Sequence, residues 1–219
     1  MLNVLKSVGL DHYIFKSYYK TLIVLYIIAA IIGIISQIPI ITVSVVIAIS
    51  APFIGTIFSV YEKNNLNKLY GILPIGKHEV VIGRYLYALF FVIINGIVSG
   101  VLAYVISLFV NKEMSQLEIL TYLSASLLFF ILYIAIDFPL FFKFTFSKIY
   151  VLTNLPFYLL FVIGFFIVKK TDTLKNLTQI IQYFTDHQNM IWVIGIGLGL
   201  ILLCISVPLS CAIYKRKEL

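Results

Sequence analysis

Asp137 is the ionisable residue set inside an apolar run of this chain, in the segment YIAIDFPLFFKF. A carboxylate held in hydrocarbon is costly, so its presence there marks a candidate for proton, cation or conformational chemistry. It would also be the best acid of a membrane-embedded enzyme such as an intramembrane protease, but no second carboxylate of similar depth stands ready to pair with it. Lys143 follows only six residues later and Pro139 loosens the backbone between them, which equally suits a structural residue near the membrane interface. Asn95 is a weaker polar counterpart in another apolar run. His12, His78 and His187 are far apart, and no His/Glu group has metal-ligand spacing. No GxxxxGK[ST] is present to cradle nucleotide phosphates, and no GxSxG to present a serine nucleophile. Gly195, Gly197 and Gly199 imitate part of a dinucleotide fingerprint, but inside an apolar run with no strand before them. Helix packing is the better reading.

The other chemistry-bearing stretch is Tyr61 to Tyr85, YEKNNLNKLYGILPIGKHEVVIGRY, a long polar interruption in a greasy chain. Leu66, Leu69 and Tyr70 recur at helical spacing and predict one apolar face of a short helix. Asn64 or Asn65 can cap its start, Gly71 can end it, and Pro74 forbids continuation. A new helix is expected from about Lys77. A short amphipathic helix clipped between two membrane spans suits the groove of a separate soluble protein. Leu66, Leu69 and Tyr70 would be its anchors, with Glu62, Lys63 and Lys68 as a charged rim. The same residues would also suit a helix lying on the lipid surface.

The elements that must carry these residues are membrane spans. The chain has 219 residues, of which 62% are hydrophobic and 11% charged, with mean hydropathy +1.07. Soluble domains carry roughly 25% charged residues, so a soluble fold is excluded. The net charge of +7 comes from Lys and Arg scattered at span ends, which points to membrane topology and away from nucleic acid. Cys204 and Cys211 are seven residues apart in one apolar run, too far along a helix to join, and read as small packing residues. The first twenty residues include Lys6, Asp11, His12, Lys16 and Lys20 and contain no signal-peptide core. Their apolar positions make no clean face. An interfacial helix and a helical extension of the first span are both open.

The expected fold is all-α: a single transmembrane domain over 1–219, with spans at about 21–38, 40–60, 85–109, 119–142, 149–168 and 190–214. Pro52 and Gly55 are expected kink points in the second span. Gly96 and Gly100 form a GxxxG pair that can let helices approach closely. Between the fifth and sixth spans, Leu174, Leu177, Ile181 and Phe184 predict a second amphipathic helix. Six crossings divide the sixteen Lys and Arg into twelve on the side of the termini and four on the other. The positive-inside bias then makes both termini, the 61–85 loop and the Lys143–Lys148 loop cytoplasmic, and the 174–184 helix extracytoplasmic.

This pattern resembles the permease subunit of type-2 ABC exporters over nearly the whole length. Two local pieces carry the likeness. Tyr61-Glu62-Lys63 running to Leu69, then Leu73-Pro74-Ile75 and Val80-Val81-Ile82-Gly83-Arg84-Tyr85, is similar to the family's acidic residue, polar helix, Leu-Pro step and basic return into the third span. Phe138-Pro139-Leu140-Phe141-Phe142-Lys143-Phe144 is similar to a Pro-Leu-x-Phe-Lys-Phe-Gly run closing the fourth span. Small Gram-positive permeases of modulin and antimicrobial-peptide export carry both. Gly76-Lys77 replaces a common Ser-Arg, and Thr145 stands where Gly is common.

The resemblance implies a multi-pass protein of the bacterial cell membrane. It would pair with a second permease chain, as homo- or heterodimer, and receive a cytoplasmic ATPase. The coupling residues would be Glu62, Lys63, Asn64, Asn65, Leu66, Leu69 and Tyr70, with Asp137 and Asn95 available to the pathway. ATP and Mg would sit on the partner, with no cofactor on this chain, which would itself be a transporter subunit and no enzyme. Amphipathic or antimicrobial peptides or lipid-like molecules are the expected substrates. The competing reading from another class is a membrane-embedded peptide sensor or immunity protein that receives its ligand on the 174–184 helix.

Overall fold

The computed structural model describes residues 2–64, 66, 75–112, 116–155 and 188–216, and side chains within 3–64, 66, 75–112, 119–155 and 197–216. The described elements are all helical. They are α1 (Leu2–Phe15), α2 (Tyr19–Ile35), α3 (Ile41–Ile54), α4 (Thr56–Lys63), α5 (Lys77–Val110), α6 (Gln116–Lys143), α7 (146–155) and α8 (Gln188–Lys215). Five stretches among them are long and apolar enough to cross a membrane: Asn3–Ile35, Ile41–Lys63, Lys77–Val110, Ile119–Lys143 and Gly197–Lys215. These cover five of the six spans expected from the sequence. Of the remaining one, expected at 149–168, only the part up to 155 lies among the described residues, as does none of the 174–184 helix.

The N-terminal segment takes the second of its two expected forms. A single 3₁₀ turn, Lys16–Tyr18, joins α1 to α2 end to end. The resulting rod runs alongside α5 in the same direction. Ser7 meets Gly83, Phe15 meets Phe91 with ring centroids 4.9 Å apart, Tyr26 meets Asn95, and Gly33 lies by Ile106. A Cβ at Gly83 would come within 2.7 Å of the Ser7 side chain, so this contact depends on the missing methyl. The 34 residues of α5 make a rod of about 51 Å at 1.5 Å per residue. A bilayer core is about 30 Å thick, so α5 is longer than that thickness by roughly 20 Å.

The second span is α3 and α4 in series. Pro52 lies inside α3, Gly55 separates the two helices, and Phe58 N–H restarts the ladder on Gly55 O at 3.0 Å. Both expected kink residues therefore mark the break. The turn before it is tight: Gln37 takes a left-handed φ of 54°, and a Cβ at Gly33 would overlap Thr42 Oγ1. At the same end of the bundle Asn111 closes α5 in the left-handed conformation that Asn tolerates, and Lys112 Nζ donates to Gln37 O at 3.3 Å.

Pro139 illustrates how the bundle is tied. Its ring removes the N–H that would have bonded Ala135 O. Ser206 Oγ of α8 donates to that carbonyl instead, at 2.7 Å. Tyr85 of α5 reaches the same hydroxyl at 2.6 Å and Ser210 Oγ at 2.9 Å, so three helices share one buried polar chain. The GxxxG pair is used within the chain: Gly96 and Gly100 both pack against Leu123 of α6. Gly195, Gly197 and Gly199 lie within helix α8, without the strand a dinucleotide site requires. The two cysteines separate, Cys211 buried and Cys204 exposed.

Candidate functional site

One end of the bundle gathers the N-terminal helix, the approach to the 64–76 connection, the α6–α7 turn and the end of α8. Its centre is Arg84, on the first turns of α5 and 4% exposed. The guanidinium stacks 4.2 Å from the Tyr61 ring centroid, 4.5 Å from Phe58 and 5.5 Å from Phe142. Arg84 Nε lies 3.5 Å from Asp11 Oδ2, and Asp11 is fully buried. Tyr61 Oη donates to Asp11 Oδ1 at 2.9 Å. Asp11, Tyr61 and Arg84 come from α1, α4 and α5, so one charged cluster pins three helices. Stacking suits a guanidinium here, because its planar, weakly hydrated charge tolerates an aromatic cage better than an ammonium would.

Around this pin the aromatic residues of the FPLFFKF run form a second layer. Phe58 packs on Phe138, Phe141 and Phe142 at 5.2, 5.2 and 5.0 Å, and Phe142 on Tyr214 of α8 at 5.2 Å. A cavity of about 240 Å³ opens among Glu62, Arg84, Phe142 and Thr145. The two motifs singled out in the sequence, eighty residues apart, are thus one packed unit.

Glu62 faces this unit. Its Oε1 accepts from Ser147 Oγ at 2.7 Å and its Oε2 from Ser147 N at 3.2 Å. A carboxylate on the exposed N–H groups at the start of α7 satisfies donors that the helix leaves open and complements its dipole. Glu62 therefore clamps the first connection to the second. At the far side of the 64–76 connection, Gly76 N–H donates to Glu79 Oε2 at 2.7 Å, half of a capping box that survives without a side chain at the cap. Lys77 Nζ reaches the Lys215 carbonyl at 3.4 Å, joining the start of α5 to the end of α8.

The remaining residues singled out in the sequence divide clearly. Lys63 ends α4 and Asn64 is its C-cap, both exposed. Leu66 is half-buried and packs against the core. Asn65, Leu69 and Tyr70 lie outside the described residues, as do Gly71 and Pro74. Asn95 is buried between the first and third spans, accepting from Tyr26 Oη at 2.8 Å and donating to Phe91 O at 2.7 Å. Asp137 is 1% exposed, and neither carboxylate oxygen has a hydrogen-bond partner of good geometry among the described residues. The Tyr133 hydroxyl one turn earlier interacts with it and donates to Asn154 Oδ1 at 3.3 Å.

The model of the family described as ABC-2 family transporter protein matches residues 9–215. The chain belongs to the ABC-2 transporter family. No curated protein and no solved structure matches it. Family and apolar helices together make it a multi-pass transmembrane permease subunit, a component of a transporter. Membership implies a cytoplasmic ATPase subunit as its partner.

Sequence reasoning had Arg84 as a basic step into the third span and passed over Asp11, Ser7 and Ser147. A signal for the first two exists. Ser7, Asp11 and Phe15 recur every four residues and are all fully buried. The stripe that α1 buries is small and charged before it is aromatic, so a search for apolar periodicity finds no face.

Proposed function

We propose that this permease is the membrane half of an ATP-driven exporter, a single domain over 1–219 with six spans and both termini cytoplasmic. It forms half of the translocation path with a second permease chain, and ATP and Mg stay on the partner ATPase. The 64–76 connection is the coupling segment, with Glu62, Lys63, Asn64, Asn65, Leu66, Leu69 and Tyr70 at or near the contact. The observation that carries this reading is the Asp11–Arg84–Tyr61 pin, which joins the two helices flanking that connection to α1. A force applied between α4 and α5 meets a rigid cluster and not a hinge. It reaches the α1–α2 rod through Asp11, α6 through the aromatic layer, and α7 through Glu62. Packed units of this kind pass on rigid-body displacement, because close-packed cores deform little. The excess of α5 over the bilayer thickness gives the lever its length.

Amphipathic peptides or lipid-like molecules of the bacterial cell membrane are the proposed substrates. Leu66→Asp with Leu69→Asp places two charges on the anchoring face. Membrane insertion should persist while ATPase association and export are lost. Normal export by the double variant would defeat the coupling claim.

A further inference from the structure

A groove of about 320 Å³ runs down the outside of the bundle between the α1–α2 rod and α5. Its walls are apolar, with Leu22 and Ile23 on one side and Phe90, Phe91 and Ile94 on the other. Ile23, Phe90 and Ile94 are 57%, 56% and 43% exposed, so no described part of the chain covers them. At its deep end Tyr26 and Asn95 are hydrogen-bonded to each other, and Asn95 also to Phe91 O, so the polar atoms there are already engaged. At its mouth the character changes. His12 Nδ1 and the Tyr19 hydroxyl bond at 3.0 Å, with the Tyr87 ring beside them. Lys16 follows His12 by four residues and Lys20 adjoins Tyr19. Both are exposed, and neither forms an ion pair with a described residue. The acidic residue of this segment, Asp11, faces inward onto Arg84. Lys16 and Lys20, outside the groove wall itself, are therefore the exposed charges that flank the mouth among the described residues of this segment.

We propose that this groove holds one acyl chain of an anionic phospholipid, with the headgroup against His12, Lys16 and Lys20. An apolar slot closed by satisfied polar groups has nothing to offer a polar ligand, and a lysine-flanked mouth selects an anion. Small-molecule pockets begin at roughly 300 Å³, so the space takes one chain and not a whole amphiphile. Aromatic groups and lysines at a membrane–water boundary are suited to holding a headgroup at that depth. A lipid seated here bridges the first and third spans just beside the Asp11–Arg84 pin.

The test uses the full-length chain with its one tryptophan removed (Trp192→Phe) and a reporter added as Phe90→Trp. It is reconstituted in phosphatidylcholine vesicles containing increasing fractions of brominated phosphatidylglycerol or brominated phosphatidylcholine, which quench tryptophan on contact. The reporter at 90 should respond to brominated phosphatidylglycerol at about a tenfold lower fraction, because each basic side chain near an anionic surface contributes a fewfold. Lys16→Gln with Lys20→Gln should abolish that preference. A reporter at the other end of α5, Phe109→Trp, should show no preference. Equal response of position 90 to both lipids would overturn the proposal, since only bulk lipid would then fill the groove. No response to either would also overturn it, by showing that protein, such as a second copy of the chain, covers the site.

Discussion

Asp11 and Asp137 are both buried carboxylates in an apolar bundle, and they are built oppositely. Asp11 sits in α1 with a guanidinium 3.5 Å away and a tyrosine hydroxyl at 2.9 Å. Asp137 sits in α6 and, among the described residues, has no cation paired to it and no oxygen in good hydrogen-bond geometry. Burying a charge costs far more than burying a hydroxyl unless a counter-charge and donors compensate it. Asp11 has both, so it can serve as a fixed joint. Asp137 has the Tyr133 hydroxyl beside it and no cation among the described residues, so its charge is the less compensated of the two. Position along the sequence suggests the reverse emphasis, because Asp137 stands inside a span and Asp11 in an unremarkable leader.

Removing one member of the paired site should have the largest effect. Arg84→Ala leaves Asp11 buried without its cation and should lower stability by about 3–5 kcal/mol. Thermal unfolding of the purified permease in detergent would show it, and an unchanged Tm would break the distinction between the two carboxylates. Gly83→Val comes next. The added side chain meets Ser7 where a Cβ alone would already lie at 2.7 Å, so α1 must shift away, at a cost of about 1–3 kcal/mol. Protease sensitivity near the N-terminus should rise, and Ser7→Gly in the same chain should partly restore protection.

Asp137→Asn sharpens the contrast from the other side. It keeps the shape and removes the charge, so stability should hold or rise by about 1–3 kcal/mol, where Asp11→Asn should lose stability. Export measured alongside separates the roles: a more stable but inactive Asp137→Asn permease assigns the charge to transport, and retained export assigns it to structure. The smallest effect is expected at the clamp. Glu62→Gln weakens the charge at the start of α7 and should cost about 1 kcal/mol. Ser147→Ala should cost less in the Glu62→Gln background than it does alone, since both remove one interaction. Full additivity in that double-mutant cycle would refute the clamp.

Much of the architecture was legible because membrane solvent simplifies the code. Long apolar runs with charged ends locate spans, since backbone groups in lipid must close their own hydrogen bonds. Pro52, Gly55 and the 36–39 turn fell where the chain breaks, for reasons local to those residues. The site was legible only in part. Tyr61, Arg84 and the FPLFFKF run were noticeable, but as two separate motifs. Glu62 read as a solvent-facing rim, whereas its carboxylate closes the start of α7, eighty-five residues away in sequence. The GxxxG pair marked a close helix approach without naming its partner, which is Leu123 of α6.

Composition alone determined that this is a helical membrane protein, because transfer into hydrocarbon depends on residue type and run length and hardly on neighbours. Only the tertiary structure decided which charges are joined. Whether Asp11 or Asp137 finds a cation depends on which helices stand side by side, and pairing between residues seventy-three positions apart leaves no periodic trace in the chain.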